Sequence, residues 1–201
     1  MQKLLPEIVF ATNNPHKLEE ARAILQDKVK VLSLADIGCH DDIPETADTL
    51  EGNALIKARW VKEKYGYDCF ADDTGLMVDV LNGEPGVYSA RYAGEHCSPA
   101  DNIRLLLEKM TGLANRKAHF STVVALSLKD HEYLFEGTVE GEISETLNGG
   151  GGFGYDPVFI PENSSLSFAE MSPEEKNKIS HRGRAMRKFA DFLDSFNPEL
   201  L

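Results

Sequence analysis

Cysteine is scarce in this chain. Cys39, Cys69 and Cys97 are odd in number and far apart, which fits neither a C-x-x-C metal or redox pair nor an even disulfide framework, so they read as free thiols. The six histidines are scattered with no H-x-x-x-H spacing, which argues against zinc. Long apolar runs are missing: nothing approaches the roughly 20 residues of a membrane span. Met1-Gln2-Lys3-Leu4-Leu5-Pro6 also lacks the apolar core of a signal peptide, so a cytoplasmic chain with no membrane partner is expected. Positive charge is short as well. Lys and Arg number 21 against 33 Asp and Glu, a net charge of −12, and affinity for nucleic acid grows with the phosphates neutralised, so a nucleic-acid partner is not expected. A G-x-x-x-x-G-K-[ST] phosphate loop is absent.

What is present is a globular composition, 42% hydrophobic and 27% charged over 201 residues, long enough for one domain over 1–201 or two closely joined lobes. The most unusual segment is Gly149-Gly150-Gly151-Gly152-Phe153-Gly154-Tyr155-Asp156-Pro157. Glycine reaches φ > 0 and lets the main chain come close to a neighbour, although such tracts are also often plain surface loops. Gly149, Gly151 and Gly154 spell G-x-G-x-x-G, but a dinucleotide fingerprint opens a helix, and here Val158-Phe159-Ile160 reads as a short strand. Cations concentrate at Lys176, Lys178, Arg182, Arg184, Arg187 and Lys188, so a local positive pocket and a solvated helix face both remain open.

The patterning alternates helices and strands at first. Residues 7–12 read as a buried strand, Asn14-Pro15 as a helix start, and Val29 to Leu34 as a second strand. Asp48-Thr49-Leu50-Glu51 resembles a capping box opening a helix that ends at Gly66. Asp68 to Ala71 and Leu76 to Leu81 read as two strands, with Asp72-Asp73-Thr74-Gly75 between them. Ser98-Pro99 starts a third helix, 117–128 and 131–143 form a hairpin around Lys129-Asp130, and Ser172-Pro173 starts a short helix. The last helix, from about Ser180, carries Ala185, Phe189, Phe192, Leu193 and Phe196 on one face. Local strand pairing after the alternating start predicts an α/β fold with a long mixed sheet flanked by helices.

Two places carry chemistry. Adjacent carboxylates Asp72 and Asp73 at a strand end can hold a hard cation with phosphate, or form an ordinary surface turn. Thr12-Asn13-Asn14-Pro15-His16-Lys17 enters a helix whose free N–H groups and positive dipole end attract an anion, with Lys17 adding charge; an ordinary capped helix is the competing reading.

The fragments Thr12-Asn13-Asn14-(x2)-Lys17, Glu45-Thr46, Glu51-Gly52-Asn53-Ala54-(x2)-Lys57-Ala58, Ala71-Asp72-Asp73-Thr74-Gly75-Leu76, Pro85-Gly86-Val87-Tyr88-Ser89-Ala90-Arg91-Tyr92, Gly151-Gly152-Phe153-Gly154-Tyr155-Asp156-Pro157 and Ser180-His181-Arg182-Gly183 follow one another in order along the chain, and the likeness they carry spans about residues 7–193. On these the chain resembles the inosine triphosphate pyrophosphatases, the Ham1-like family. Asn13 stands where that family usually has glycine, and Thr74 keeps the hydroxyl of the more frequent serine.

The resemblance implies a two-lobed fold with a substrate cleft between the lobes, a homodimer, and Mg²⁺-dependent hydrolysis of ITP, dITP and XTP to monophosphate and pyrophosphate. It places Thr12, Asn13, Asn14, Pro15, His16, Lys17, Lys57 and Thr74 on the phosphates, and Glu45, Asp73 and Asp72 on Mg²⁺. Asp73 takes the position of the general base, although a cation lowers a carboxylate's pKa and leaves hydroxide on the metal as the alternative base. Phe153, Gly154, Tyr155 and Asp156 fall at the purine, with core packing as the other reading of Tyr155 and anchoring of the loop as the other reading of Asp156; Lys176, His181 and Arg182 supply donors to its oxo groups. Alternatives are a pyrimidine nucleotide pyrophosphatase, as in the distantly similar Maf-like fold, and a nucleotide-sensing module without turnover.

Overall fold

The computed structural model describes residues 6–195. The segment Met1 to Leu5 and Phe196 of the last predicted stripe lie outside the described residues. In chain order the strands and helices are β1 (Glu7–Phe10), α1 (Pro15–Leu25), β2 (Lys30–Leu32), α2 (Leu50–Tyr65), β3 (Cys69–Val78), β4 (Pro85–Gly86), α3 (Pro99–Lys109), β5 (Lys117–Leu128), β6 (His131–Ile143), β7 (Phe159–Pro161), α4 (Pro173–Ile179) and α5 (His181–Ser195). The sheet order is β2-β1-β3-β5-β6-β7, with β4 pairing β3. Parallel pairs β1/β2 and β1/β3 coexist with antiparallel β3/β4 and β6/β7, so the fold is α/β with a mixed sheet, as the patterning predicts. Among the described residues no helix is long and apolar enough to cross a membrane.

The chain divides into two compact units. The first comprises the described residues up to Asp73, then Thr122–Gly137 and the stretch from Arg182 onward. Its β1 and β3 are buried on both faces, and side-chain alternation sorts their residues into two cores. Phe10 and Phe70, stacked with centroids 4.4 Å apart, pack with Ala21 and Leu25 of α1 and Ala185, Met186, Phe189 and Leu193 of α5. Val9, Ala11, Cys69 and Ala71 face the other way, onto Ala54, Ala58 and Val61 of α2. The second unit, Thr74–Ser121 and Thr138–His181, has its own core, in which Ile103, Leu106 and Met110 of α3 pack with Leu76, Phe120, Phe159 and Phe168.

The predicted helix starts form as read. Asn14 caps α1 with Pro15 in the first turn; Ser98 with Asp101 and Ser172 with Glu175 make reciprocal capping boxes. Thr49 caps α2 by accepting the Gly52 N–H at 3.0 Å, but the third helical position is glycine, so the box has no returning side chain. The main departure is β3. The two strands expected around Asp72-Asp73-Thr74-Gly75 are one strand of 10 residues, Cys69–Val78, and the aspartates lie within it.

Candidate active site

Continuity of β3 separates the aspartates. Successive side chains of a strand point to opposite faces, so Asp72 lies on the face of Phe70, toward α1 and α5. Asp73 lies on the face of Ala71, toward α2.

Asp72 is 1% exposed. Its Oδ1 accepts from Lys17 Nζ and its Oδ2 from Arg182 Nε, each at 2.9 Å. Arg182 also donates through Nη1 to Glu20 at 2.7 Å, one helical turn beyond Lys17 on α1. Burial alone would raise the Asp72 pKa, but Lys17, Arg182 and Lys57 hold it far below the usual carboxylate range. The same burial, with Arg182 and Lys57 nearby, lowers Lys17 despite its carboxylate partner.

Asp73 sits in a different balance. Its Oδ2 accepts from Asn53 Nδ2 at 3.1 Å, and its Oδ1 lies 3.8 Å from Lys57 Nζ. Lys57, buried on α2, also contacts Glu45 Oε1 at 2.5 Å, so one ammonium bridges two carboxylates. Burial raises the Asp73 pKa, Lys57 and Lys17 oppose the rise, and Glu45 adds to it. Burial works against the Lys57 cation, but Asp73, Glu45 and Asp72 together outweigh it and raise its pKa.

Carboxylates, water and phosphate oxygens are the usual Mg²⁺ ligands, often with only one or two carboxylates from the protein. Glu45 and Asp73 fit that pattern. The third expected ligand, Asp72, has both oxygens held by cations on the opposite face of the strand. Among the described residues no group of three or more His, Cys, Asp or Glu gathers in a metal-holding arrangement. Adjacency in a strand is not proximity on one face, so Asp72 and Asp73 are turned to different partners.

At the start of α1, the Asn14 carboxamide accepts the N–H groups of His16 at 3.0 Å and Lys17 at 3.3 Å, and Thr12 Oγ1 accepts the Asn14 N–H at 3.1 Å. Asn13, Pro15 and His16 are exposed. The competing reading of this segment, a capped helix, is thus present in full, with Lys17 directed to Asp72.

The second unit holds the glycine tract. Asp156, 3% exposed, accepts from Phe153 N at 2.8 Å and Lys176 Nζ at 2.6 Å. The Lys176 ammonium lies 4.5 Å from the Phe153 ring centroid, within cation–π range. A Cβ on Gly152 would fall 2.2 Å from Asp156 Oδ2, and one on Gly151 would fall 2.9 Å from the Ala169 carbonyl. The close approach that the glycines permit is therefore to the chain's own Asp156 and Ala169. Gly154 adopts φ 58° with open space around its Cβ position. Tyr155 is core: its hydroxyl donates to Ser89 O at 2.8 Å. Ser89 in turn accepts the Leu76 N–H and donates to Gly86 O, bracing the Pro85–Tyr92 segment.

His181 stacks on Phe120 at 4.4 Å within the second unit. Arg182, one residue on, belongs to the first and donates to Asp72 and Glu20. Consecutive helical residues point about 100° apart, so sequence adjacency did not imply a shared target. Thr74 is half-buried on β3 just past Asp73. Two residues with structural weight were not assigned from sequence: Glu20, legible only through its helical spacing from Lys17, and Asn53.

The Ham1 family profile matches residues 8–192. This chain belongs to the Ham1 family. A dITP/XTP pyrophosphatase of Porphyromonas gingivalis is 56% identical over 191 residues, covering 94% of this chain and 98% of that one. A dITP/XTP pyrophosphatase of Flavobacterium johnsoniae is 54% identical over 187 residues, with 93% and 97% coverage. The solved Ham1 protein of Coxiella burnetii superposes with TM-score 0.88 at 37% identity, covering 96% of this chain and 100% of that one. The Staphylococcus aureus Ham1 protein gives 0.85 at 40%, with 94% and 98% coverage. The part matched to the Ham1 family includes every candidate residue from Thr12 to Arg182.

Proposed function

We propose that this Ham1 family member hydrolyses ITP, dITP and XTP between the α and β phosphates, giving the monophosphate and pyrophosphate. The observation that carries the reading is Asp73: a buried carboxylate tied to Asn53 and facing a cation shared with Glu45. The names of the relatives, at half or more identical residues over nearly full length, support the same activity.

In this reading Asp73 takes the proton of the attacking water, with its Oδ2 held by the Asn53 amide. Lys57 and Lys17 bring positive charge to the triphosphate, and the Thr12–Lys17 turn with Thr74 supplies its polar contacts. Glu45 and Asp73 would hold Mg²⁺, which would supply charge against that developing on the phosphates. Asp72 and Arg182 act as a buried ion pair that holds Lys17 in place. The purine stacks on Phe153, and Lys176 and His181 donate to its oxo groups, with Asp156 and Gly154 shaping the loop. A 6-oxo group accepts where the adenine amino group donates, and each donor left unpaired costs about 1–3 kcal/mol. The protein works as one domain over 1–201, as a cytoplasmic homodimer without nucleic acid; the net charge of −12 supports that last point.

Pyrophosphate release with Mg²⁺ across ITP, XTP, dITP, GTP, ATP, dUTP and TTP tests the proposal. Turnover highest on ITP, dITP and XTP is the expected result; preference for a pyrimidine, or no turnover, overturns it.

A further inference from the structure

We infer that Asn53 is a positioning residue for the reaction: it aims the Asp73 carboxylate and ties it to the loop that carries Glu45. The inference rests on the pyrophosphatase reading above. Asn53 lies in the first turn of α2 and is 1% exposed. Its Oδ1 accepts the Ala47 N–H at 2.9 Å and its Nδ2 donates to Asp73 Oδ2 at 3.1 Å. A backbone N–H only donates and an ionised carboxylate only accepts, so these partners fix which end of the amide faces which. A flipped amide would lose both bonds.

The Ala47 bond anchors the loop two residues after Glu45. Gly52 lets that loop lie against the helix, since a Cβ there would sit 2.6 Å from Ala47 Cβ and 2.9 Å from Thr49 Oγ1. The Asp73 bond fixes rotation of the carboxylate: with Oδ2 held by Asn53, Oδ1 is the oxygen turned toward Lys57. One buried amide therefore sets the relation between the two carboxylates of the candidate site. A small misplacement of a reacting group lowers the rate steeply while leaving distant binding contacts in place.

The two bonds can be separated by substitution. Asn53→Asp keeps the acceptor for Ala47 but turns a carboxylate toward Asp73, whereas Asn53→Ser is too short for either bond. Steady-state kinetics on ITP with Mg²⁺ are compared with wild type, alongside circular dichroism and thermal melts. Wild-type turnover is the test of the pyrophosphatase reading itself, so the two failures are distinguishable. Expected is a fall in kcat of about 10–100-fold for both folded variants, with KM for ITP close to wild type. If only Asn53→Ser folds, the same split in that variant supports the proposal. Near-wild-type kcat in folded Asn53→Asp would reduce Asn53 to a loop staple and overturn it. So would an unchanged kcat in Asn53→Ser, or failure of both variants to fold.

Discussion

Asp72 and Asp73 are neighbours in sequence and work on opposite faces of β3. Asp72 is bound by Lys17 and Arg182, and Asp73 by Asn53 with Lys57 close by. Their pKa values are pushed apart, Asp72 down and Asp73 up. In the proposed function the first is assigned a structural role and the second a chemical one.

Asp73→Asn should therefore lower kcat on ITP by about 10²–10⁴-fold. It removes a carboxylate whose burial opposes its charge, so the melting temperature should hold. Pyrophosphate release and a thermal melt on the same sample check both halves.

Asp72→Ala should do the reverse in emphasis. It leaves Lys17 and Arg182 buried without their carboxylate, and breaking a buried pair from one side costs about 3–5 kcal/mol. Urea unfolding should show a markedly lower midpoint; a midpoint equal to wild type would remove Asp72 from the structural role.

Acid should erase that difference. Asp72 has a folded pKa below its unfolded value, so its stabilisation is complete above the ordinary carboxylate range and is lost as pH falls toward the folded value. The gap in urea midpoint between wild type and Asp72→Asn should be widest near neutrality and narrow steadily on acidification. A gap independent of pH would contradict the account.

The glycine tract offers a paired test. Gly152 has φ 68° and its Cβ would strike Asp156, so Gly152→Ala should destabilise by more than about 1 kcal/mol and raise KM for ITP through the displaced Asp156. A Cβ on Gly150 meets nothing within 4 Å, so Gly150→Ala should match wild type in both. Equal behaviour of the two variants would argue that the loop is unstructured in solution.

Much of the fold was legible because it rests on local chemistry. Asn14, Ser98 and Ser172 announce their helices, Gly66 ends α2, and Lys129-Asp130 marks the β5–β6 turn. The β3 strand was not, because Asp and Gly are poor strand formers, and Asp72-Asp73-Thr74-Gly75 is nevertheless extended within a largely buried strand. The same limit hid the site's arrangement. The motifs named Asp72, Asp73, Lys57 and Arg182, but which side chain answers which depends on strand alternation and helix rotation, not on spacing. Arg182 pairs with Asp72 across 110 residues of chain, a relation that no local pattern encodes.

The central claim is that Asp73 and Glu45 serve cleavage between the α and β phosphates of a deaminated purine nucleotide. Product analysis of ITP turnover, with and without Mg²⁺, tests it most directly. The account predicts one pyrophosphate and one IMP per ITP, lost on chelation and lost in Asp73→Asn. Release of orthophosphate with IDP, or undiminished turnover in Asp73→Asn, would contradict it.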